Sequence, residues 1–207
     1  MSAQTSPHWD LTNVYPSLSS SQYAADFAKL QKLLNEQEAF LKEKVSAVDA
    51  TSPAPMIAET AAALIERFNQ ILVVAGTLRS YLESFISTDS YNKEALKKLS
   101  EYELVGVKTD QVFKAARAWL GKVGSKLPEA IKLNKVVEAH AYFVQEEAKG
   151  SQFLMSEKEE VLASELNLSG GNAWEKLQGT ITSQLSVDFE LDGKVQKLPM
   201  PALINLR

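Results

Sequence analysis

The sequence predicts an all-α fold: a long antiparallel helical hairpin packed with shorter helices, followed by a small C-terminal β-hairpin. Three observations carry this. Pro and Gly number only 7 and 9 among 207 residues, while Ala, Leu, Glu and Lys are plentiful, a bias that favours helix. Apolar residues recur at steps of three and four for about thirty residues over 57–85, the spacing of one helical face. Near the C-terminus that spacing gives way to alternation around Asp192-Gly193, a two-residue hairpin signal because both turn positions need positive φ.

Residues 1–20 read as an extended arm. Trp9, Leu11, Val14, Tyr15 and Leu18 have nothing of their own to bury against, so they are expected to lie on a helical body over 21–185. Ser19 to Ser21 offer N-caps for a helix reaching about Val45, with Tyr23, Phe27, Leu30, Leu34 and Leu41 at helical spacing. A Pro-containing break follows over 47–55. The main stripe is then Ile57, Ala61, Leu64, Phe68, Ile71, Ala75, Leu78, Leu82 and Phe85, a rod of about 45 Å. Ile65, Leu72 and Ile86 widen it, as in a helix packed on more than one neighbour. After a polar break at 88–92, Leu96, Leu99, Tyr102, Val112, Phe113, Ala116, Trp119 and Leu120 mark a second long helix to about Gly121. A short turn between two long helices makes them antiparallel neighbours.

Gly121, Gly124 and Pro128 punctuate the next connection, and shorter helices are expected over 129–149, with a break near Asn134, and over 157–166. Ser156 and Glu159 form a capping box, and the neighbouring acids suit the positive end of that helix. A turn at 169–172 leads into a helix over 173–183 with Trp174, Leu177 and Ile181 on one face. Residues 186–198 form the β-hairpin, in a register that sets Asp188 opposite Lys197. Residues 199–207 read as the start of a further helix, cut short.

The chemistry is sparse. Net charge is −4 and the sequence pI about 5.4, with no basic stripe, which argues against nucleic acid as a partner. The longest uncharged apolar run, 71–77, is far shorter than a bilayer span, so no membrane partner is expected. Residues 1–10 lack the basic flank and apolar stretch of a signal peptide. Cys is absent, which removes disulfides and thiolate sites and suits a cytoplasmic location. His8 lies in the polar arm. His140 has Val136 and Val144 where a second helical zinc ligand would stand, and Glu138 two residues away faces elsewhere. It therefore reads as a buried or interface histidine. The acidic pairs Glu36/Glu38, Glu146/Glu147 and Glu159/Glu160 sit at surface-helix spacing. Trp9, Trp119 and Trp174 read as core or interface residues. No nucleotide or nucleophile-elbow motif occurs, so no catalytic or metal residue is assigned and substrate-binding residues stay undetermined.

Three stretches nonetheless carry a resemblance. Trp9-Asp-Leu-Thr-Asn-Val-Tyr-Pro-Ser-Leu18 resembles the "WDL-x-x-LYPS" opening of oligoendopeptidase F, a bacterial zinc peptidase family of the thimet oligopeptidase type. Met155-Ser-Glu-Lys-Glu-Glu160, with Glu165-Leu-Asn-Leu-Ser-Gly170 and Asn172-Ala-Trp-Glu-Lys-Leu177, resembles its "LSEEEE…ELSLTGxxAWxxLxxxLTS". Thr180-Ile-Thr-Ser-Gln-Leu-Ser-Val187, the Asp-Gly turn and Leu198-Pro-Met-Pro-Ala-Leu203 continue the likeness. It thus spans nearly the whole chain, in order.

The resemblance implies a helical N-terminal domain that helps enclose a deep channel, restricting substrates to short peptides. In that family zinc is bound C-terminal to this region, by a helix bearing HExxH and a further Glu; the histidines hold the metal and the motif's Glu polarises water. No position here matches that motif. This chain is therefore expected to be a non-catalytic lid and channel wall, binding no metal itself, whose partner is its own C-terminal catalytic domain. Tyr15, Trp9 and Trp174 are expected to fasten the arm and late helices to the long hairpin. The alternative is a self-contained helical adaptor that binds partner proteins through the wide stripe over 57–85.

Overall fold

Ser20 ends the lead-in by accepting the Tyr23 N–H on its hydroxyl at 3.3 Å, which satisfies one of the free donors at a helix start. The helix it opens, α1 (Ser21–Glu43), is followed by a single 3-10 turn, Val45–Ala47. A computed structural model describes residues 10–200 and 203 of the chain. The expectations for His8 and Trp9, and most of the helix over 199–207, lie outside the described residues.

α2 (Ala54–Thr88) begins beside Pro53, where a missing N–H costs nothing. α3 (Lys93–Lys122) begins at Asn92, whose side chain accepts the Ala95 N–H at 3.0 Å. These are the two long helices of the hairpin, and α1 packs against both. α2 is the central member. It buries Ile57, Ala61, Leu64, Ile65, Phe68, Ile71, Leu78 and Leu82, each large aliphatic contributing roughly 1.5–3 kcal/mol. An 18-residue window of α2, at mean hydropathy 1.3, is apolar enough to cross a membrane; half of it is buried within this protein. Of the second set of stripe residues, Ile65 is buried and Ile86 half-buried, but Leu72 is exposed.

The region 129–149, expected as one helix with a break near Asn134, contains three: α4 (Leu127–Leu133), α5 (Lys135–Ala139) and α6 (Ala141–Gly150). Asn134 makes the first break by turning its side chain to the Val136 N–H at 2.9 Å. His140 makes the second, its Nδ1 lying 2.8 Å from the Val136 carbonyl. α4 and α5 pack on α2, and α6 packs on α3. Gly121 is where the α3 contact becomes tight. It lies inside the helix, and a methyl there would overlap the Ser151 side chain, 2.6 Å from its Cβ. Gly121 thus permits close approach rather than marking a loop.

Over its described part, residues 10–20, the lead-in is not extended. Asp10 accepts the Thr12 N–H at 2.9 Å, and the N–H groups of Val14 and Tyr15 both return to the Leu11 carbonyl. An Asp side chain that bonds two residues ahead favours such a turn. Tyr15 and Leu18 are buried, Leu11 is half-buried and Val14 stays exposed. The Tyr15 hydroxyl donates to Asp26 at 2.7 Å, and the Tyr81 hydroxyl donates to the Tyr15 carbonyl at 2.9 Å. Tyr15 also meets the Tyr23 and Tyr81 rings edge-on, at 5.5 and 5.0 Å, a favoured aromatic geometry. Burial pushes the Tyr23 hydroxyl up to about 12 and raises Tyr15 as well, with Asp26 reinforcing the latter.

The chain then runs through α7 (Glu157–Ser169) and α8 (Gly171–Gln184) into strands β1 (Ser186–Leu191) and β2 (Lys194–Pro199). The capping box is present: the Ser156 N–H donates to Glu159 at 2.9 Å. The strands pair antiparallel with Asp188 opposite Lys197, and both turn residues have positive φ, Asp192 at 51° and Gly193 at 73°.

Candidate functional site

α8 is inside out. Its half-buried positions are Asn172, Lys176, Thr180 and Ser183, at steps of four, four and three, which makes a polar stripe along the side facing the protein. Trp174, Leu177 and Ile181, with Leu185 just beyond the helix, point to solvent, Trp174 with 70% of its surface exposed. A surface helix ordinarily does the reverse. What holds α8 to α3 is polar: the Lys176 ammonium pairs with Glu103 and donates to the Ser100 hydroxyl at 3.3 Å.

The β-hairpin continues the theme. Its register puts Val187, Phe189, Leu191 and Leu198 on one face, and Val187 and Phe189 are exposed. Leu162 and Leu166 on α7, Phe153 and Met155 before it, and Tyr142 on α6 are exposed as well. Among the described residues, the buried apolar core stops at Val144; after it only the polar Ser164 is buried. Exposed apolar residues are thus numerous in the last third of the chain, where no described apolar residue is buried to balance them.

The tryptophans therefore divide. Trp119 is core, its indole N–H donating to the buried Val48 carbonyl at 2.7 Å. Trp174 fastens nothing: it stands on the outward face of α8, contrary to the expectation that it ties the late helices down. That role falls to Lys176, Glu103, Lys114 and Glu160. Lys114 of α3 pairs with Glu160 of α7 at 2.7 Å and donates to the Ser164 hydroxyl at 2.9 Å. The sequence signal for all this was the polar period of α8, which runs opposite to its apolar one.

The acidic pairs are structural ties. Glu38 accepts from Lys108 of α3 and Lys42 of its own helix, both at 2.6 Å, and these ammoniums push its carboxyl down to about 2. Glu147 grips the Arg117 guanidinium at 2.6 and 3.1 Å, the bidentate geometry that arginine favours. Glu160 is lowered by Lys114 and the Met155 N–H, and Glu159 by Ser156. Glu36 lies 3.8 Å from Lys32, and Glu146 2.6 Å from Lys149.

His140, half-buried between α5 and α6, spends its Nδ1 on a backbone carbonyl. Among the described residues no three His, Asp or Glu side chains gather as a metal would need. A cavity of about 20 Å³ between α2, α3 and α6, lined by Phe68, Phe113, Leu120 and Val144, is about the size of one water. A wider open groove lies between α3 and α7, beside Asp110, Lys114, Glu160 and Asn167; of its charges, Lys114 and Glu160 are paired with each other.

Comparison of this chain with protein-family models, with curated proteins and with solved structures returns no match.

Proposed function

We propose that this chain is the non-catalytic N-terminal domain of a cytoplasmic zinc oligopeptidase of the oligoendopeptidase F type. In this reading it forms part of the lid and wall of a channel that admits short peptides. The zinc and the reacting groups belong to a C-terminal catalytic domain, and the exposed apolar face of α8 and the β-hairpin packs against that domain. The observation that carries the reading is the outward stripe of Trp174, Leu177, Ile181 and Leu185. Such an orientation supports a partner outside residues 10–200, and the ordered motifs from Trp9 to Leu203 resemble a family in which a catalytic domain would be that partner.

The adaptor reading drew its support from the stripe over 57–85. Most of that stripe is buried in the chain's own core, where α2 lies between α1, α3, α4 and α5, and Leu72 is its exposed member. The test is to read the gene beyond the codon for Arg207 and assay the purified chain. The proposal expects several hundred further codons containing HExxH, with no stoichiometric zinc and no peptide hydrolysis by residues 1–207 alone. A stop codon directly after Arg207, zinc retained through dialysis, or turnover of a bradykinin-like peptide would refute it.

A further inference from the structure

The attachment of the last third of the chain differs in kind from that of the rest. α6 is joined to α3 by buried Val144 as well as by the Arg117–Glu147 pair. The polar ties of α7 and α8 to α3 are two lysines: Lys114, which clasps Glu160 and Ser164, and Lys176, which clasps Glu103 and Ser100. Each lysine side chain is about a third exposed while Glu160 and Glu103 are more covered, so water and salt reach both clasps from the lysine side. Apolar burial resists salt, whereas exposed ion pairs weaken as the screening length shortens.

The same residues are coherent among themselves. α7 starts on its own capping box and packs on α8. The Met200 N–H, beyond β2, donates to the Leu185 carbonyl at the end of α8 at 3.1 Å, closing the strands onto that helix. Between this unit and α6 lies only the 3-10 turn Ser151–Phe153 and two further residues before Ser156.

We propose that residues 156–200 form an arm that swings off α3 as one unit about residues 151–155, with the Lys114 and Lys176 clasps acting as an ionic latch. The inference stands independently of the peptidase reading. Opening exchanges two polar clasps and apolar contacts that are only half-buried, those of Val161, Ala163 and Leu168 on α7, so the bundle of α1 to α6 stays intact while the inner polar stripe of α8 is released.

The absence of Cys permits clean double spin labelling of the 207-residue chain. Lys97→Cys on α3 with Gln178→Cys on α8 reports the arm, and Lys97→Cys with Ser80→Cys on α2 reports the bundle; all three positions are exposed. Distances are measured by pulsed electron resonance at about 0.05 M and about 0.5 M NaCl. The arm pair is expected to gain a longer-distance population, at least about threefold larger at high salt. Lys176→Met and Lys114→Met are expected to reproduce that gain at low salt, Lys176→Arg to retain the latch, and the bundle pair to stay unchanged. An arm distance unmoved by salt and by both Met variants together would overturn the proposal, as would parallel broadening of the bundle pair.

Discussion

Gln37 sits on the buried face of α1, in step with Leu30, Leu34 and Leu41, and is wholly inaccessible. Neither its amide nitrogen nor its amide oxygen has a hydrogen-bond partner. Burying an unpaired polar group costs about 1–3 kcal/mol in protein mutational series. Leucine fills a similar volume and removes both polar atoms. Gln37→Leu should therefore raise stability by about 1–3 kcal/mol, which for a chain of this length is roughly 2–4 °C of melting temperature per kcal/mol. Urea denaturation followed by circular dichroism gives the measurement, with an unchanged m-value showing that the same surface unfolds. Gln37→Ala is the contrast, since it opens a cavity and should destabilise despite removing the same amide. A Gln37→Leu protein less stable than the parent would refute the reasoning, because it would mean that the amide is usefully bonded in solution.

Four further outcomes are expected. Gly121→Ala should cost about 1–3 kcal/mol by overpacking against Ser151, whereas Gly124→Ala, with open space around it, should be near neutral by thermal melting. Tyr81→Phe strips the Tyr15 carbonyl of its buried donor and should cost about 1–3 kcal/mol, seen also as faster proteolysis within residues 10–20. Because the Glu38 carboxyl is held at about 2 against an ordinary 4.5, its contribution is full above 4.5 and is lost as pH falls towards 2. That carboxylate is about two-fifths exposed, so solvent screening limits the effect to about 0.2–1 kcal/mol, and Glu38→Gln should flatten that part of the acid-stability curve. Trp174→Ser should change stability by less than about 0.5 kcal/mol, while Trp119→Phe, which leaves the Val48 carbonyl without its donor, should cost about 1–3 kcal/mol in urea titrations.

Much of the fold was legible because its signals are local. Three- and four-residue steps define the long helices, Ser20 caps α1 by accepting the Tyr23 N–H, and Glu159 accepts the Ser156 N–H in the capping box of α7. Asp192-Gly193 determines the strand register down to Asp188 opposite Lys197. The expectations that changed were those depending on what lies across a gap. Gly121 resembles punctuation until Ser151 is seen against it, and His140 resembles a mid-helix residue until its ring is found on the Val136 carbonyl. Gln37 shares the period of the α1 leucines, yet a polar letter at a buried position gives no sequence signal of its own.

The outward face follows the same division. Periodicity alone placed Trp174, Leu177 and Ile181 on one side of a helix. Which side meets the protein was decided by tertiary contacts: Lys176 reaches Glu103 and Ser100, residues more than seventy positions earlier in the chain. A one-dimensional pattern specifies a helical stripe because neighbours three and four residues apart share a face whatever the surroundings. It does not specify the direction of that stripe, which depends on ion pairs and packing between segments that only the folded chain brings together.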